Sequence, residues 1–314
     1  MTEASLNYEV FDRQVWQKFG QQDHLDLDQS LTPTVLSKLK AFNDQISIDE
    51  VNVIYLPLVA YIKMQYGQYC QMRQARSTFF NQKQVDSPFV IGIAGSVAVG
   101  KTTTAQLLQY LLQAEFGNEE VALVTTDGFL RSNSELEAMG IMDRKGFPES
   151  YNMAALLEFV DAIKDGEPEV KAPRYSHDVS DVLLDEYDVF KRPKIFIIEG
   201  INTLQASPDA PVYLSDFFDF SIYLDAKTDL IEHWYLDRFV ALLNQTAQMQ
   251  DPTNFFYEWT QMPFDQAVQQ AREVWNTVNY PNLRDYILPT RERADLILHK
   301  TVGHVINEVW LRKF

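Results

Sequence analysis

A glycine-rich segment that ends in lysine and threonine stands at residues 95–102. It fits the pattern G-x-x-x-x-G-K-[ST] without a mismatch, and its members are Gly95, Ser96, Val97, Ala98, Val99, Gly100, Lys101 and Thr102. The glycines let the backbone curl so that successive N–H groups point at phosphate oxygens, and the following helix N-terminus adds a partial positive charge. In such a loop Lys101 reaches the β- and γ-phosphates and the Thr102 hydroxyl holds Mg²⁺. The segment therefore predicts a site for ATP and Mg²⁺.

Two carboxylates follow short apolar runs further along the chain. Asp127 comes directly after Val121–Thr126, and Glu199 comes directly after Ile195–Ile198. Ligands of open α/β sheets sit beyond the carboxyl ends of the strands, so we expect both side chains near the nucleotide. We assign Asp127 as the base that accepts the proton of an attacking hydroxyl, and Glu199 to the metal, beside Thr102. A turn cap at Asp127 and binding of backbone N–H groups by Glu199 are the alternatives.

Phosphoryl transfer also requires cations, because negative charge builds on the moving group. Arg238 lies on a predicted helix three residues after Tyr235, so the two side chains share one helix face. Arg291 and Arg293 are further candidates, for which a solvated network of ion pairs is the alternative. We assign Arg238 to the transferring phosphoryl group.

The elements that position these residues are predicted from hydrophobic patterning. Five short apolar runs read as strands: Phe89–Ala94, Val121–Thr126, Ile195–Ile198, Phe220–Leu224 and Ala294–His299. Helical periodicity lies between them, at Thr103–Phe116, Met153–Asp165, Asp229–Gln248 and Phe264–Val278. Nearly continuous apolar strands are typical of parallel sheets covered on both faces, and the alternation indicates right-handed crossovers. We therefore expect an α/β fold with a mostly parallel sheet flanked by helices.

The remaining segments are expected to be attached to this sheet in one globular unit. Apolar residues recur at helical spacing between Thr32 and Phe80, which predicts a helical N-terminal region over residues 1–86. Residues 87–314 form the predicted core. The segment 247–262 carries aromatic residues without a strand period, which indicates a loop or lid.

Composition excludes several classes of protein. The formal net charge of −17 argues against a binder of duplex nucleic acid, which needs clustered Lys and Arg. A single cysteine, Cys70, excludes an intrachain disulfide and suits a reducing compartment. The acidic N-terminus lacks the pattern of a secretory signal, and the apolar stretch Val53–Ile62 is too short to span a bilayer. We expect a cytoplasmic protein that binds neither nucleic acid nor membrane.

The chain resembles the bacterial type I pantothenate kinases over nearly its whole length. The runs that carry the resemblance are Ile54–Leu58 (IYLPL), Ile93–Lys101 (IAGSVAVGK), Val124–Leu130 (VTTDGFL), Lys145–Tyr151 (KGFPESY), Tyr175–His177 (YSH) and Ile287–Ala294 (ILPTRERA). The resemblance implies a nucleoside-kinase-like P-loop core of the phosphoribulokinase and uridine kinase type. It also implies a homodimer that uses ATP and Mg²⁺ to phosphorylate pantothenate to 4′-phosphopantothenate, the first step of coenzyme A biosynthesis.

Roles for individual residues follow from the same resemblance. Asp127 matches the base of the family, and Arg238 matches the arginine that steadies the transferring phosphoryl group. The positions that match the pantothenate pocket are Tyr175, His177, Tyr235 and Asn279, and those that match the surroundings of the adenine are Asn43 and His304. From the residues alone, His177 is as readily a surface or capping histidine, and Asn279 a helix C-cap because Pro281 follows.

Two positions depart from the pattern of the family. Gln106 stands four residues after Thr102, where the family usually has arginine, and Leu242 stands where an aromatic residue is expected. In the family coenzyme A inhibits by occupying the ATP site, and the arginine can contact its phosphates. Loss of a cation weakens the binding of a highly charged ligand. We therefore expect inhibition by coenzyme A to be weakened.

Other functions fit the phosphate loop as well. A uridine kinase or phosphoribulokinase would use the same scaffold, because a fold does not determine a substrate. A GTP-binding switch is disfavoured, because Ala226-Lys227-Thr228-Asp229 departs from the guanine-binding pattern [NT]-K-x-D at its first position. A noncatalytic binding module is disfavoured, because it would need no base, whereas this chain carries carboxylates at the ends of predicted strands as well as the lysine and threonine of the loop.

Overall fold

The computed structural model describes residues 6–20, 31–40, 44–83, 85–206 and 211–314. Within these ranges, seven strands form one sheet in the order β1-β9-β8-β7-β2-β6-β3, and β4 and β5 form a separate hairpin. The strands are β1 (Tyr8–Asp12), β2 (Phe89–Gly95), β3 (Val121–Thr125), β4 (Val170–Ser176), β5 (Asp181–Phe190), β6 (Ile195–Glu199), β7 (Phe220–Ala226), β8 (Leu296–Lys300) and β9 (Ile306–Arg312). The strands from β8 to β3 are parallel, and β9 is antiparallel to β8. The predicted α/β fold is confirmed.

Helices cover both faces of this sheet. Their bounds are α1 (Arg13–Trp16), α2 (Pro33–Leu39), α3 (Ile48–Glu50), α4 (Leu56–Phe80), α5 (Lys101–Phe116), α6 (Asn133–Met139), α7 (Met153–Lys164), α8 (Thr228–Met249), α9 (Tyr257–Thr260), α10 (Phe264–Val274) and α11 (Tyr280–Asn282). Alternate residues of β2 enter two different cores, as the period of a strand requires. Val90 packs with the core of α7, whereas Ile91 and Ile93 pack with the core of α4 and α5. Every residue of β2, β6 and β7 is buried, which explains their continuous apolar sequences.

Several elements differ from the sequence predictions. The strand β1 lies in the region predicted to be helical, and it pairs antiparallel with β9 from the other end of the chain. The hairpin of β4 and β5 was not predicted either. The segment 247–262 is partly helical, since α8 runs to Met249 and α9 covers Tyr257–Thr260.

The helix α10 continues beyond its α-helical part. A π-helical segment covers Trp275–Asn279, and the backbone stays helical through α11. Asn279 has φ −69° and ψ −44°, so the alternative of a helix C-cap at this residue is wrong. In the described part of the chain, no helix is both long enough and apolar enough to cross a membrane.

Candidate active site

A cavity of about 690 Å³ opens where β2, β3 and β6 end. Its wall includes most of the residues that the sequence assigned to phosphoryl transfer and to the acceptor: Lys101, Thr102, Asp127, Tyr175, His177, Glu199, Tyr235, Arg238 and Asn279. These side chains come from the phosphate loop, the ends of three strands and the helices α8 and α10–α11. The fold therefore brings together residues that are up to 178 positions apart, from Lys101 to Asn279.

The phosphate loop connects β2 to α5 through an unusual backbone. Gly100 has a φ of +92°, and a Cβ at this position would lie 2.5 Å from Asp44 Oδ2 and 2.6 Å from Lys300 Nζ. Only glycine fits such a position without displacement of its neighbours. The buried Lys300 ammonium also donates a hydrogen bond to the Val99 carbonyl oxygen at 2.8 Å. The base of the loop is thus held by side chains from both ends of the chain.

Lys101 is the second cation that contacts the backbone of this loop. Its Nζ donates to the Ser96 carbonyl oxygen at 2.8 Å, which holds the side chain across the loop. Burial lowers the pKa of the Lys101 ammonium, and the neighbouring carboxylates of Glu199 and Asp127 counteract this effect. The charge of Lys101 is therefore balanced by two acidic groups of the same cavity.

Asp127 lies on a short turn that follows β3. Its backbone N–H donates to the Thr125 hydroxyl at 3.3 Å, so the capping side chain of the turn is Thr125 rather than Asp127. A Cβ on Gly128 would lie 2.1 Å from the Pro173 carbonyl oxygen, because β4 passes directly against the turn. The hydrogen bond to Thr125 and the contact with β4 thus hold the backbone that carries the Asp127 carboxylate, and Asp127 lines the cavity.

Glu199 ends β6 and is only 6% exposed. The Thr102 hydroxyl donates to Glu199 Oε1 at 3.1 Å. Burial raises the pKa of the Glu199 carboxyl, and Lys101 counteracts this rise. A hydroxyl and a carboxylate are hard oxygen ligands of the kind that Mg²⁺ prefers. Among the described residues, no group of three or more His, Cys, Asp or Glu side chains is arranged to hold a metal ion.

Arg238 and Tyr235 lie on one face of α8, as their spacing predicts, and both line the cavity. Burial lowers the pKa of the Arg238 guanidinium, while Asp127 and Glu199 oppose this effect. The other two candidate arginines have partners elsewhere. Arg291 contacts Asp225 and Glu292, as the ion-pair alternative states. Arg293 donates to the Leu204 carbonyl oxygen and to Ser215 Oγ, and neither arginine is among the residues that line the cavity.

Tyrosine, histidine and asparagine side chains form another part of the cavity wall. The rings of Tyr175 and His177 meet edge to face with centroids 5.2 Å apart, and the Tyr175 hydroxyl lies 3.1 Å from Ser180 Oγ. The Asn279 side chain lowers the pKa of the Tyr235 phenol and so offsets part of the effect of burial. Burial raises the pKa of Tyr175 and of Tyr235 to about 12, so both phenols are neutral near pH 7. This wall offers uncharged hydrogen-bonding groups beside aromatic surface.

Two lining residues, Lys145 and Tyr151, had no role in the sequence predictions. Both belong to the run KGFPESY that carried the family resemblance, but their spacing alone indicates no chemistry. Lys145 Nζ donates to Asn133 Oδ1 at 2.7 Å and to the Ser180 carbonyl oxygen, and it lies over the ring of Tyr175. Tyr151 is buried beside Asp127.

The residues expected near the adenine lie apart from this cavity or outside the description. Asn43 lies outside the described residues. His304 stacks on Trp234 with ring centroids 4.0 Å apart, and its Nδ1 lies 3.2 Å from Asp44 Oδ1. Burial lowers the pKa of His304 to about 4, so its ring is neutral near pH 7. Asp44 also adjoins Gly100, so His304 is linked through Asp44 to the base of the phosphate loop.

The two departures from the family pattern have different positions. Leu242 lines the cavity, one turn beyond Arg238 on α8. Gln106 is partly exposed on α5, about one turn after Thr102, and is not among the residues that line the cavity. Gln106 is thus close to the phosphate loop in sequence, and it lies on α5, the helix that begins with Lys101 and Thr102 of the loop.

Comparisons with known proteins agree with the fold and with the phosphate loop. Residues 90–242 match the model of the phosphoribulokinase / uridine kinase family. The pantothenate kinase of Limosilactobacillus reuteri is 48% identical over 308 residues, which are 98% of this chain and 98% of that protein. The pantothenate kinase of Enterococcus faecalis is 49% identical over 309 residues, or 98% of this chain and 99% of that protein. Among solved structures, the YGR205w protein has the same fold with a TM-score of 0.53 at 14% identity, over 82% of this chain and 99% of that one.

Proposed function

We propose, because the chain belongs to the pantothenate kinase family, that it transfers the γ-phosphoryl group of ATP to the primary hydroxyl of pantothenate. The product is 4′-phosphopantothenate, and the reaction opens coenzyme A biosynthesis. The observation that carries the proposal is one cavity whose wall combines Lys101 of the phosphate loop, a carboxylate at Asp127 and the neutral hydrogen-bonding groups of Tyr175, Tyr235 and Asn279.

The proposed chemistry is an in-line transfer between two bound substrates. The N–H groups of residues 95–102 and the Lys101 ammonium bind the β- and γ-phosphates of ATP. Asp127 accepts the proton of the acceptor hydroxyl while the hydroxyl oxygen attacks the γ-phosphorus. The bond between the γ-phosphorus and the β–γ bridging oxygen breaks, and ADP is released. Arg238 offsets the charge on the moving group. Thr102 and Glu199 would hold Mg²⁺, which would supply positive charge to offset that of the triphosphate.

The acceptor wall matches pantothenate in its chemistry. Pantothenate carries two hydroxyls, an amide and a carboxylate, and Tyr175, His177, Tyr235 and Asn279 are suited to hydrogen bonds with those groups. The aromatic side chains Phe256 and Trp259 also line the cavity and offer apolar surface to the gem-dimethyl carbon. For the adenine we keep the proposal that His304 and Asn43 lie close to it.

An assay of ADP release with several acceptors tests the proposed substrate. We expect turnover with pantothenate, and none above background with uridine or ribulose 5-phosphate. We also expect tighter binding of ATP than of GTP. Turnover with uridine or ribulose 5-phosphate in place of pantothenate would favour the other kinases of this scaffold, and GTP binding without any acceptor would favour a switch.

We also propose that the protein is a cytoplasmic homodimer whose chains meet along α4. This helix of 25 residues exposes several large apolar side chains on its outer surface, namely Met64, Met72, Phe79 and Phe80. Exposed apolar groups of this kind are stabilised by burial in an interface between subunits.

The substitution Glu199→Gln tests the proposed metal site. The amide keeps the size of the side chain but removes its charge, so the concentration of Mg²⁺ that gives half-maximal activity is expected to rise by about tenfold or more. Titration of kcat with Mg²⁺ at saturating ATP measures this. Glu137, an exposed residue of α6, provides the control, since Glu137→Gln leaves the Mg²⁺ titration unchanged. An unchanged titration for Glu199→Gln would remove this residue from the metal site.

The substitution Gln106→Arg tests the proposed weakening of feedback. A guanidinium at this place on α5 can pair with phosphate groups near the loop, so coenzyme A is expected to inhibit the variant about tenfold more strongly than the unchanged protein. Inhibition constants for coenzyme A at several ATP concentrations measure the effect. Strong inhibition of the unchanged protein, competitive with ATP, would show that Gln106 does not weaken feedback.

A further inference from the structure

Tyr151 is a buried phenol on the wall of the cavity, and none of the roles proposed above involves it. The residue is 3% exposed. Its hydroxyl oxygen lies 3.5 Å from Oδ1 of Asp127, at the long end of the range for a hydrogen bond. Hydrogen bonds of catalytic groups often begin long and tighten in the complex with substrates. The phenol of Tyr151 therefore contacts the carboxylate that we propose as the base.

The backbones that carry the two side chains are joined directly. Leu130 and Tyr151 form an isolated antiparallel β-bridge. The Arg131 N–H donates to the Ser150 carbonyl oxygen at 2.8 Å, and the Asn152 N–H donates to the Phe129 carbonyl oxygen at 2.8 Å. The segment around Tyr151 is thus bonded to the segment that directly follows Asp127. A movement of one segment carries the other with it, so the distance between phenol and carboxylate is controlled by the fold.

The phenol is also in the state that a donor needs. Burial raises the pKa of the Tyr151 phenol well above its usual range, and the nearby carboxylate of Asp127 raises it further. The hydroxyl consequently keeps its proton at neutral pH and can donate it to a carboxylate oxygen. A carboxylate has two oxygens, so a bond to Oδ1 leaves Oδ2 to accept from another donor.

We propose that Tyr151 is a positioning residue for the phosphoryl transfer: its hydroxyl donates to Oδ1 of Asp127 and thereby orients Oδ2 toward the acceptor hydroxyl. This inference rests on the proposed function and on Asp127 as the base. During transfer the proton of the acceptor passes to Oδ2, the acceptor oxygen bonds to the γ-phosphorus, and ADP leaves with the electron pair of the broken bond. Tyr151 keeps its own proton throughout and takes no part in bond making.

The substitution Tyr151→Phe removes the donor and keeps the ring. We expect kcat with pantothenate to fall roughly tenfold, because displacement of a catalytic group by about 1 Å can cost about 10²-fold in rate. The KM values for ATP and pantothenate are expected to stay within about twofold, since a positioning role affects the transition state rather than ground-state binding. Tyr223→Phe is the matched control: it removes a hydroxyl from another buried tyrosine, one that is not among the residues lining the cavity, and kcat is expected to remain unchanged.

A double-mutant cycle with Asp127→Asn separates positioning from a merely structural role. If Tyr151 acts through Asp127, adding Tyr151→Phe to Asp127→Asn lowers kcat no further. An unchanged kcat in Tyr151→Phe would overturn the proposal, and so would an equal loss in both backgrounds or a loss confined to KM. A fall in kcat that is accompanied by a clearly lower thermal midpoint would indicate a structural role, and it would also count against the proposal. Failure of the unchanged protein to phosphorylate pantothenate would refute the proposed function instead, and full turnover by Asp127→Asn would refute the base.

Discussion

Asp127→Asn is expected to lower kcat for pantothenate by about 10³-fold or more, because a general base contributes typically about 10²–10⁴-fold to such a step. The amide fits the same turn after β3 but cannot take the proton of the acceptor hydroxyl. ATP should bind almost as tightly as before, because the phosphates are held by the loop of residues 95–102. Steady-state kinetics measure the loss, and isothermal titration with ATP measures the binding.

The control for this prediction is a carboxylate that is not among the residues lining the cavity. Asp161 is exposed on α7, and Asp161→Asn should leave both kcat and ATP binding unchanged. If Asp127→Asn retained most of its turnover, another group would have to accept the proton. If it lost ATP binding as well, the residue would be part of the nucleotide site rather than the base.

Arg238→Gln is expected to lower kcat by about 10³-fold, the lower end of the effect of an arginine that stabilises a transferring phosphoryl group. The guanidinium lies in the same cavity as Asp127 and Glu199, whose charges favour its ionised form. Arg238→Lys keeps a charge but loses the planar fork, so an intermediate loss is expected. Pre-steady-state measurement of product formation distinguishes a slower transfer from slower release.

Arg272 of α10 is the matched control for this substitution. Its side chain is 56% exposed and pairs with Glu232 at the surface, so Arg272→Gln should not change kcat. A loss in Arg238→Gln that appears only as a higher KM for pantothenate would mean that Arg238 binds the acceptor. Equal activities of Arg238→Gln and the unchanged protein would exclude any role in transfer.

The central strands could be predicted from the sequence because their environment is uniform. Every residue of β2 and β7 is buried, so the apolar runs around Phe89 and Phe220 carry the signal of a strand covered on both faces. The edge strand β1 carries no such signal. Tyr8 is buried, but Glu9 and Val10 are exposed, and the strand exists because it pairs with β9 from the other end of the chain. Pairing between distant segments is decided by the tertiary fold rather than by local pattern.

The residues of the candidate site also differ in whether local sequence pattern or the tertiary fold determines their position. The phosphate loop and the carboxylates at strand ends could be found because motif and topology place them together. Tyr151 could not be found in this way, since its relation to Asp127 depends on a β-bridge between two loop segments. His304 is expected near the adenine from the resemblance alone; its ring stacks on Trp234, a contact between segments 70 positions apart that local pattern does not indicate. The roles of these residues remain proposals that the substitutions above test.

The geometry of a ternary complex tests the central claim most directly. A crystal structure with a nonhydrolysable ATP analogue and pantothenate should show the γ-phosphate on the amides of residues 95–102 and on Lys101. The primary hydroxyl should lie about 2.6–3.2 Å from an oxygen of Asp127 and in line with the γ-phosphorus. A complex in which the hydroxyl lies beyond reach of Asp127, or in which the triphosphate does not contact the loop, would contradict the account.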